Sequence, residues 1–159
     1  MNIKFTEIQR FTQWWIWILL IGISFIFVYG IYQQIIIGIA FGDKPMSNGG
    51  LITVSIGYFL FVTFFLSQKL ITTIDREGIE YCYFSFVNER LKWNEIKKIE
   101  VVQYGFVGWG IRLRSEYGTI YNMKGNNGIA IELHNGKKLL IGTQRPDEVN
   151  DFLRNLNVL

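Results

Sequence analysis

Charge is missing from two long stretches of this chain. No Asp, Glu, Lys or Arg falls between Arg10 and Asp43, and none between Lys44 and Lys69. Charged residues make up 18% of the whole against about 25% in ordinary soluble domains, and the deficit lies entirely in these stretches. Cysteine is nearly absent: Cys82 stands alone, which excludes an intramolecular disulfide and suits a reducing compartment. Histidine is limited to His134, beside an Asn-Gly pair, so the usual zinc ligand sets cannot be assembled and no metal or other cofactor is expected. No Gly-Lys-Ser/Thr sequence follows the glycines at 105, 108, 110, 125 and 128, which excludes a phosphate loop of that type; they read as turn and bulge residues. The net charge of +3 is a mild excess with no concentrated basic run, so nucleic acid is not expected as a partner.

The charge-free stretches are strongly apolar. Residues 14–37 read WWIWILLIGISFIFVYGIYQQIII. As a helix at about 1.5 Å per residue they extend about 36 Å, more than the roughly 30 Å of a bilayer's hydrocarbon core. Trp14, Trp15 and Trp17 at one end, with Tyr29 and Tyr32 towards the other, match the aromatic belts of the two interfaces. The run is too long for the apolar region of a cleaved signal peptide, and no A-x-A site follows it. Residues 50–68 form a second candidate span whose Thr53, Ser55 and Thr63 hydroxyls can bond back to the helix's own carbonyls. Gly22, Ser24, Gly30, Ser55 and Gly57 are small enough to let the helices approach. Asp43, Lys44, Pro45, Ser47 and Asn48 supply turn chemistry between them. A transmembrane hairpin over 14–68 is therefore expected, with 1–13 as a juxtamembrane segment. Lys4, Arg10, Lys69 and Arg76 outnumber Lys44 of the connecting loop, which predicts both termini in the cytoplasm and, in a bacterium, residence in the cell (inner) membrane.

From residue 69 the pattern changes to short β-like runs. Strands are expected near 70–75, 79–87, 91–93, 96–104, 111–114, 119–124, 129–133 and 137–141. Turns are read at 75–78, at Asn88, Glu89 and Arg90, at 125–128, and at His134-Asn135-Gly136, where Asn-Gly calls for positive φ at both turn positions. Asp75, Glu77 and Glu80 read as a solvated acidic group. Pro146, Asp147 and Glu148 open a helix, and Val149, Phe152, Leu153 and Leu156 give it one apolar face. Residues 69–159 thus make an independent β-rich domain holding 13 Lys/Arg and 11 Asp/Glu.

About seven antiparallel strands closed by one C-terminal helix is the pleckstrin-homology plan. The chain resembles short bacterial membrane proteins that join an N-terminal transmembrane hairpin to a pleckstrin-homology-like domain. The residues carrying the resemblance are FTEIQRFTQWW at 5–15, Trp93-Asn94-Glu95-Ile96, Gly108-Trp109-Gly110-Ile111-Arg112, Gly125 with Gly128, and Leu140-Ile141-Gly142-Thr143 with Pro146. The fold class this implies is an α+β membrane protein, a helical hairpin followed by a pleckstrin-homology-like antiparallel sandwich or barrel.

No acid/base pair or nucleophile stands out, so the protein is read as non-enzymatic. The expected role is a membrane-anchored binding or scaffold module for protein or self association. The alternative is a sensor or organiser of anionic lipid headgroups through a basic face, and an enzyme acting on a membrane substrate is the remote third. Candidate contact residues are Trp109 between its two glycines, Arg112 and Arg114 on one strand, and the basic pairs Lys97, Lys98 and Lys137, Lys138. The first hairpin turn, Asp75-Arg76-Glu77, is more acidic than basic and argues against specific phosphoinositide recognition.

Overall fold

The computed structural model describes residues 4–84, 86–105 and 108–158. It is an α+β structure that divides into two compact units, Thr12–Ser67 and a second made of Met1–Phe11 with Gln68–Leu159.

The first unit is a helical pair. Helix α1 spans Trp14–Ile31 and continues as a π-helical stretch over Tyr32–Ile37, and helix α2 spans Asn48–Ser67. Both are long and apolar enough to cross a membrane, with mean hydropathies of 2.2 and 2.0. Gly38, at φ 82°, ends the π stretch in a conformation that favours glycine. The Tyr58 hydroxyl donates to the Leu20 carbonyl at 2.6 Å and lies 3.3 Å from the Ser24 hydroxyl, tying the helices together. Thr53, Ser55 and Thr63 each donate to the carbonyl four residues earlier, as expected. Gln34 organises the connecting loop. Its amide nitrogen donates to Met46 O and Asn48 Oδ1 at 2.8 and 2.9 Å, and its oxygen accepts the Phe41 N–H at 3.3 Å. Gly30 leaves room for the Phe41 ring, whereas Gly22 and Gly57 face open space and do not mediate packing.

Among the described residues the second unit holds nine strands in two sheets and a C-terminal helix. The first sheet, in the order β1-β2-β3-β4, is antiparallel throughout: β1 is Phe5–Gln9, β2 Leu70–Ile74, β3 Gly78–Tyr83 and β4 Val87–Lys92. The second contains β5 (Ile96–Gln103), β6 (Gly110–Ser115), β7 (Gly118–Asn122), β8 (Asn127–Leu133) and β9 (Lys138–Thr143), in the order β5-β8-β9-β7-β6. Helix α3 spans Pro146–Asn155 and buries Val149 and Leu153. One continuous core, including Leu70, Ile79, Tyr81, Met123, Ile129 and Ile141, lies between the sheets and α3.

The sequence reading leaves 1–13 as a juxtamembrane segment, yet Phe5–Gln9 is a strand of this unit. Its residues pair with β2 from Phe5↔Ile74 to Gln9↔Leu70. Phe5, Glu7 and Gln9 point inward, and Thr6 and Ile8 point out. Glu7 is 5% exposed. Its carboxylate accepts the Thr143 hydroxyl at 2.6 Å and the Gln144 N–H at 2.8 Å, while Gln9 Nε2 donates to Gly142 O at 2.6 Å. These bonds fasten β1 to the end of β9, in the other sheet. Phe5 completes the packing, 5.9 Å from the Phe152 ring of α3 and under the Arg145 guanidinium. The unit therefore draws one strand from before the helical pair and the rest from after it.

Three further differences have physical causes. Residues 88–90 are in a strand, not a turn, because β4 is an edge strand and can carry Asn88, Arg90 and Lys92 on its solvated side. The turn falls earlier, with Phe86 N–H donating to Tyr83 O. Not every strand is antiparallel: β9 returns from β8 on its other side and lies parallel to β7, pairing Thr119↔Leu139 through Tyr121↔Ile141. In the β8–β9 turn only Gly136 has positive φ (84°), and Gly136 N–H bonds Leu133 O, as in a three-residue hairpin loop rather than a two-residue one.

Replacing Glu7 by Ala strands the buried Thr143 hydroxyl and the partly buried Gln144 N–H, which costs about 2 kcal/mol. The thermal midpoint of the full-length protein in detergent should fall by roughly 10 °C. Glu7→Gln, which keeps an acceptor, should fall less. Equal midpoints for wild type and Glu7→Ala would remove this role for β1.

Candidate functional site

The seven residues singled out in the sequence are spread over the second sheet: Lys97 and Lys138 meet at Glu132, while Arg112 lies on the edge strand β6. Trp109 is half-buried, between Gly108 and Gly110, whose φ values of 87° and 93° are open mainly to glycine. Arg112 is exposed on β6, and its guanidinium packs against Gly108, where a Cβ would meet it. Arg114 lies in the same strand, with its side chain outside the described residues. Lys97 and Lys98 lie on β5, at the opposite edge of that sheet from β6. Lys138 opens β9, the central strand of that sheet, beside Gly118 of β7, and Lys137 precedes it.

Each of the four lysines has a carboxylate beside it. Lys97 reaches Glu132 at 2.6 Å and Lys138 the same residue at 3.8 Å, Lys98 pairs with Glu100 at 3.0 Å, and Lys137 pairs with Glu89 at 3.2 Å. The lysine next to it holds the Glu132 carboxyl below the ordinary glutamate range. Cross-strand pairing of this kind locally neutralises the face. A small hollow among Lys98, Glu100, Glu116, Tyr117, Glu132 and Lys138 has a volume of about 200 Å³, below the usual range for a small-molecule site.

The acidic group at the β2–β3 turn is also paired. Arg90 of β4 contacts Asp75 at 2.7 Å, Glu77 at 3.1 Å and Glu80 at 3.4 Å. Asp75 also accepts the backbone N–H groups of Glu77 and Gly78. Burial pushes its carboxyl up, but these bonds and Arg90 outweigh that and hold it below the ordinary aspartate range. Sequence reasoning missed Arg90 because it placed that residue in a turn.

A partly buried polar contact joins Tyr81 and Glu89. The Tyr81 hydroxyl donates to Glu89 Oε2 at 2.5 Å, and Lys137 approaches the same carboxylate from the β8–β9 turn. Tyr81 stacks at 5.1 Å from Tyr121, which lies 6.5 Å from Tyr83. Burial raises the Tyr81 hydroxyl well above the ordinary phenol range and Tyr83 to about 12. Tyr81 and Tyr83 are therefore protonated near neutrality and unsuited to act as bases there. A neighbouring cleft of about 410 Å³ includes Glu89, Asn94, Glu95 and His134. Among the described residues no group of three His, Cys, Asp or Glu side chains could hold a metal ion.

No protein-family model matches the chain, and no curated protein matches it either.

The Tyr81 bond is the main cause of a lowered Glu89 carboxyl, with Lys137 adding to it against burial. A carboxyl lowered in the folded state adds stability above its unfolded pKa, and that stability is lost as pH falls through the folded value. Tyr81→Phe should therefore destabilise the protein by about 1 kcal/mol at pH 7 and by less in acid. Urea midpoints of both forms at neutral and acid pH check this; a difference that grows in acid contradicts it.

Proposed function

We propose that this chain is a membrane-anchored, non-enzymatic binding module. Helices α1 and α2 cross the bilayer as a hairpin, and the two-sheet unit is a pleckstrin-homology-like domain presented at the cytoplasmic surface of the cell membrane for a protein partner or a second copy of the chain. The observation that carries this reading is the Gln9↔Leu70 pairing. The chain leaves the first sheet at Gln9, runs through both apolar helices, and re-enters the same sheet at Leu70. The two ends of the hairpin are strand neighbours, which requires an even number of crossings and keeps the domain attached at two points.

The two packed sheets and the C-terminal helix support the pleckstrin-homology-like assignment, and the parallel β7–β9 pair is a departure from that plan. The ion pairing of all four candidate lysines favours protein or self association over general attraction to anionic lipid. The tyrosines and carboxylates that come together serve as packing and hydrogen-bonding groups, which favours binding over catalysis.

Crosslinking of the full chain in native membranes, followed by purification in mild detergent, tests the association. A dimer or a defined co-purifying protein is the expected result; a strict monomer without a partner contradicts it. Membrane-impermeant maleimide should label Asp43→Cys from outside intact cells and Asn157→Cys only after lysis, both in a Cys82→Ser background. The reverse pattern overturns the orientation.

A further inference from the structure

Along the outer face of the first sheet, side-chain polarity changes from one end to the other. At the end where β1 leads to α1 and β2 follows α2, the outward residues in cross-strand register are Ile8, Ile71 and Cys82, with Asn88 of the edge strand β4 beyond them. Next to them the Phe84 N–H bonds Lys69 O, and the Lys69 ammonium sits 5.8 Å above the Phe84 ring. Phe86 is 57% exposed and Ile8 is 60% exposed. At the other end of the same strands lie Thr6, Thr73, Glu80 and Arg90, then the turn with Asp75 and Glu77. Among the described residues this unit exposes four large apolar side chains, Ile8, Phe84, Phe86 and Leu113, and three of them lie at the first end.

Scattered exposed apolar residues need no explanation, but this arrangement follows the covalent path to the helices. Gln68 and Lys69 alone separate Ser67, the last residue of α2, from β2, so Phe84 hydrogen-bonds to a residue two positions beyond a candidate membrane span. Arg10 continues β1 at the same end. Aromatic side chains favour the headgroup level, and a lysine or arginine beside them can place its stem in apolar surroundings and its charge among headgroups.

We infer that Ile8, Phe84 and Phe86, flanked by Lys69 and Arg10, enter the interfacial layer of the bilayer that α1 and α2 cross, forming a third membrane contact that fixes how the domain is presented. This rests on the spanning reading given above. It names as occupant the headgroup–acyl boundary of the membrane, chosen over a protein partner because of that continuity with the helices. The contact leaves the Asp75–Arg90 end of the sheet and the β6 edge for other partners.

The test uses the full-length protein in phosphatidylcholine–phosphatidylglycerol vesicles containing nitroxide-labelled lipids. A fluorophore is placed in turn at Phe86→Cys, Ile8→Cys, Arg76→Cys and Ile56→Cys, all in a Cys82→Ser background, with folding checked by circular dichroism. Headgroup and shallow-chain nitroxides should quench the probes at 86 and 8 severalfold more than the probe at 76, and deep-chain nitroxides should quench the probe at 56. Quenching at 56 without extra quenching at 86 and 8 overturns the third contact and leaves the membrane hairpin intact. No quenching at 56 overturns both. The probe at 8, on a different strand, gives an independent reading if the Phe86 variant does not fold.

Discussion

The structure depends on one strand pairing made between the two ends of the apolar hairpin. Phe5–Gln9 lies beside Leu70–Ile74 although the intervening chain contains both long apolar helices. Backbone hydrogen bonds alone would leave β1 as a peeling edge strand. Glu7 prevents this, because a nearly buried carboxylate with donors from Thr143 and Gln144 is stable only while β1 and β9 stay together. Gln9 and Phe5 add a bond to Gly142 and a ring contact to α3. Two of the three inward side chains of β1 are thus polar, and that polarity is matched by groups at the end of β9. Its loop-closure entropy is offset in part because α1 and α2 are themselves joined by the Tyr58–Leu20 bond and the Gln34 loop.

Several of the domain's exposed charges are paired across strands and turns. Arg90 serves three carboxylates, Glu132 serves two lysines, and Lys137 joins Glu89, linking the β8–β9 turn to the edge of the first sheet. Exposed pairs of this type contribute little stability each. Their effect is to set charges of opposite sign side by side on these strands. The glycines serve the backbone in the same economical way. Gly118, at φ 75°, brings its Cα so close to Lys138 that a Cβ there would strike the carbonyl, which is how β7 and β9 come to lie side by side.

Much of this was legible in the sequence. The two apolar helices, the end of the second one near residue 68, most strands from 70 onward, and the amphipathic C-terminal helix all follow from hydropathy and periodicity. The strand at Phe5–Gln9 did not, since five residues are too few to establish a period and its inward positions include Glu7 and Gln9, which read as solvated. Asn88, Glu89 and Arg90 were misplaced for a related reason: an edge strand has a solvated face and borrows the composition of a turn. The parallel β7–β9 pairing is a property of topology that no local pattern encodes. How the candidate contact residues are distributed was not legible either, because strand order, invisible in one sequence, puts Arg112 and Lys97 on opposite edges of one sheet.

The central claim is that Phe5–Gln9 is an integral strand of the domain whose other strands follow the helical hairpin in the chain. Hydrogen–deuterium exchange of the full-length protein, read by mass spectrometry, tests it most directly. The account predicts that amides in 5–9 exchange as slowly as those in 70–74, because the two strands open only together. Rapid exchange across 5–9 while 70–83 stays protected would contradict it.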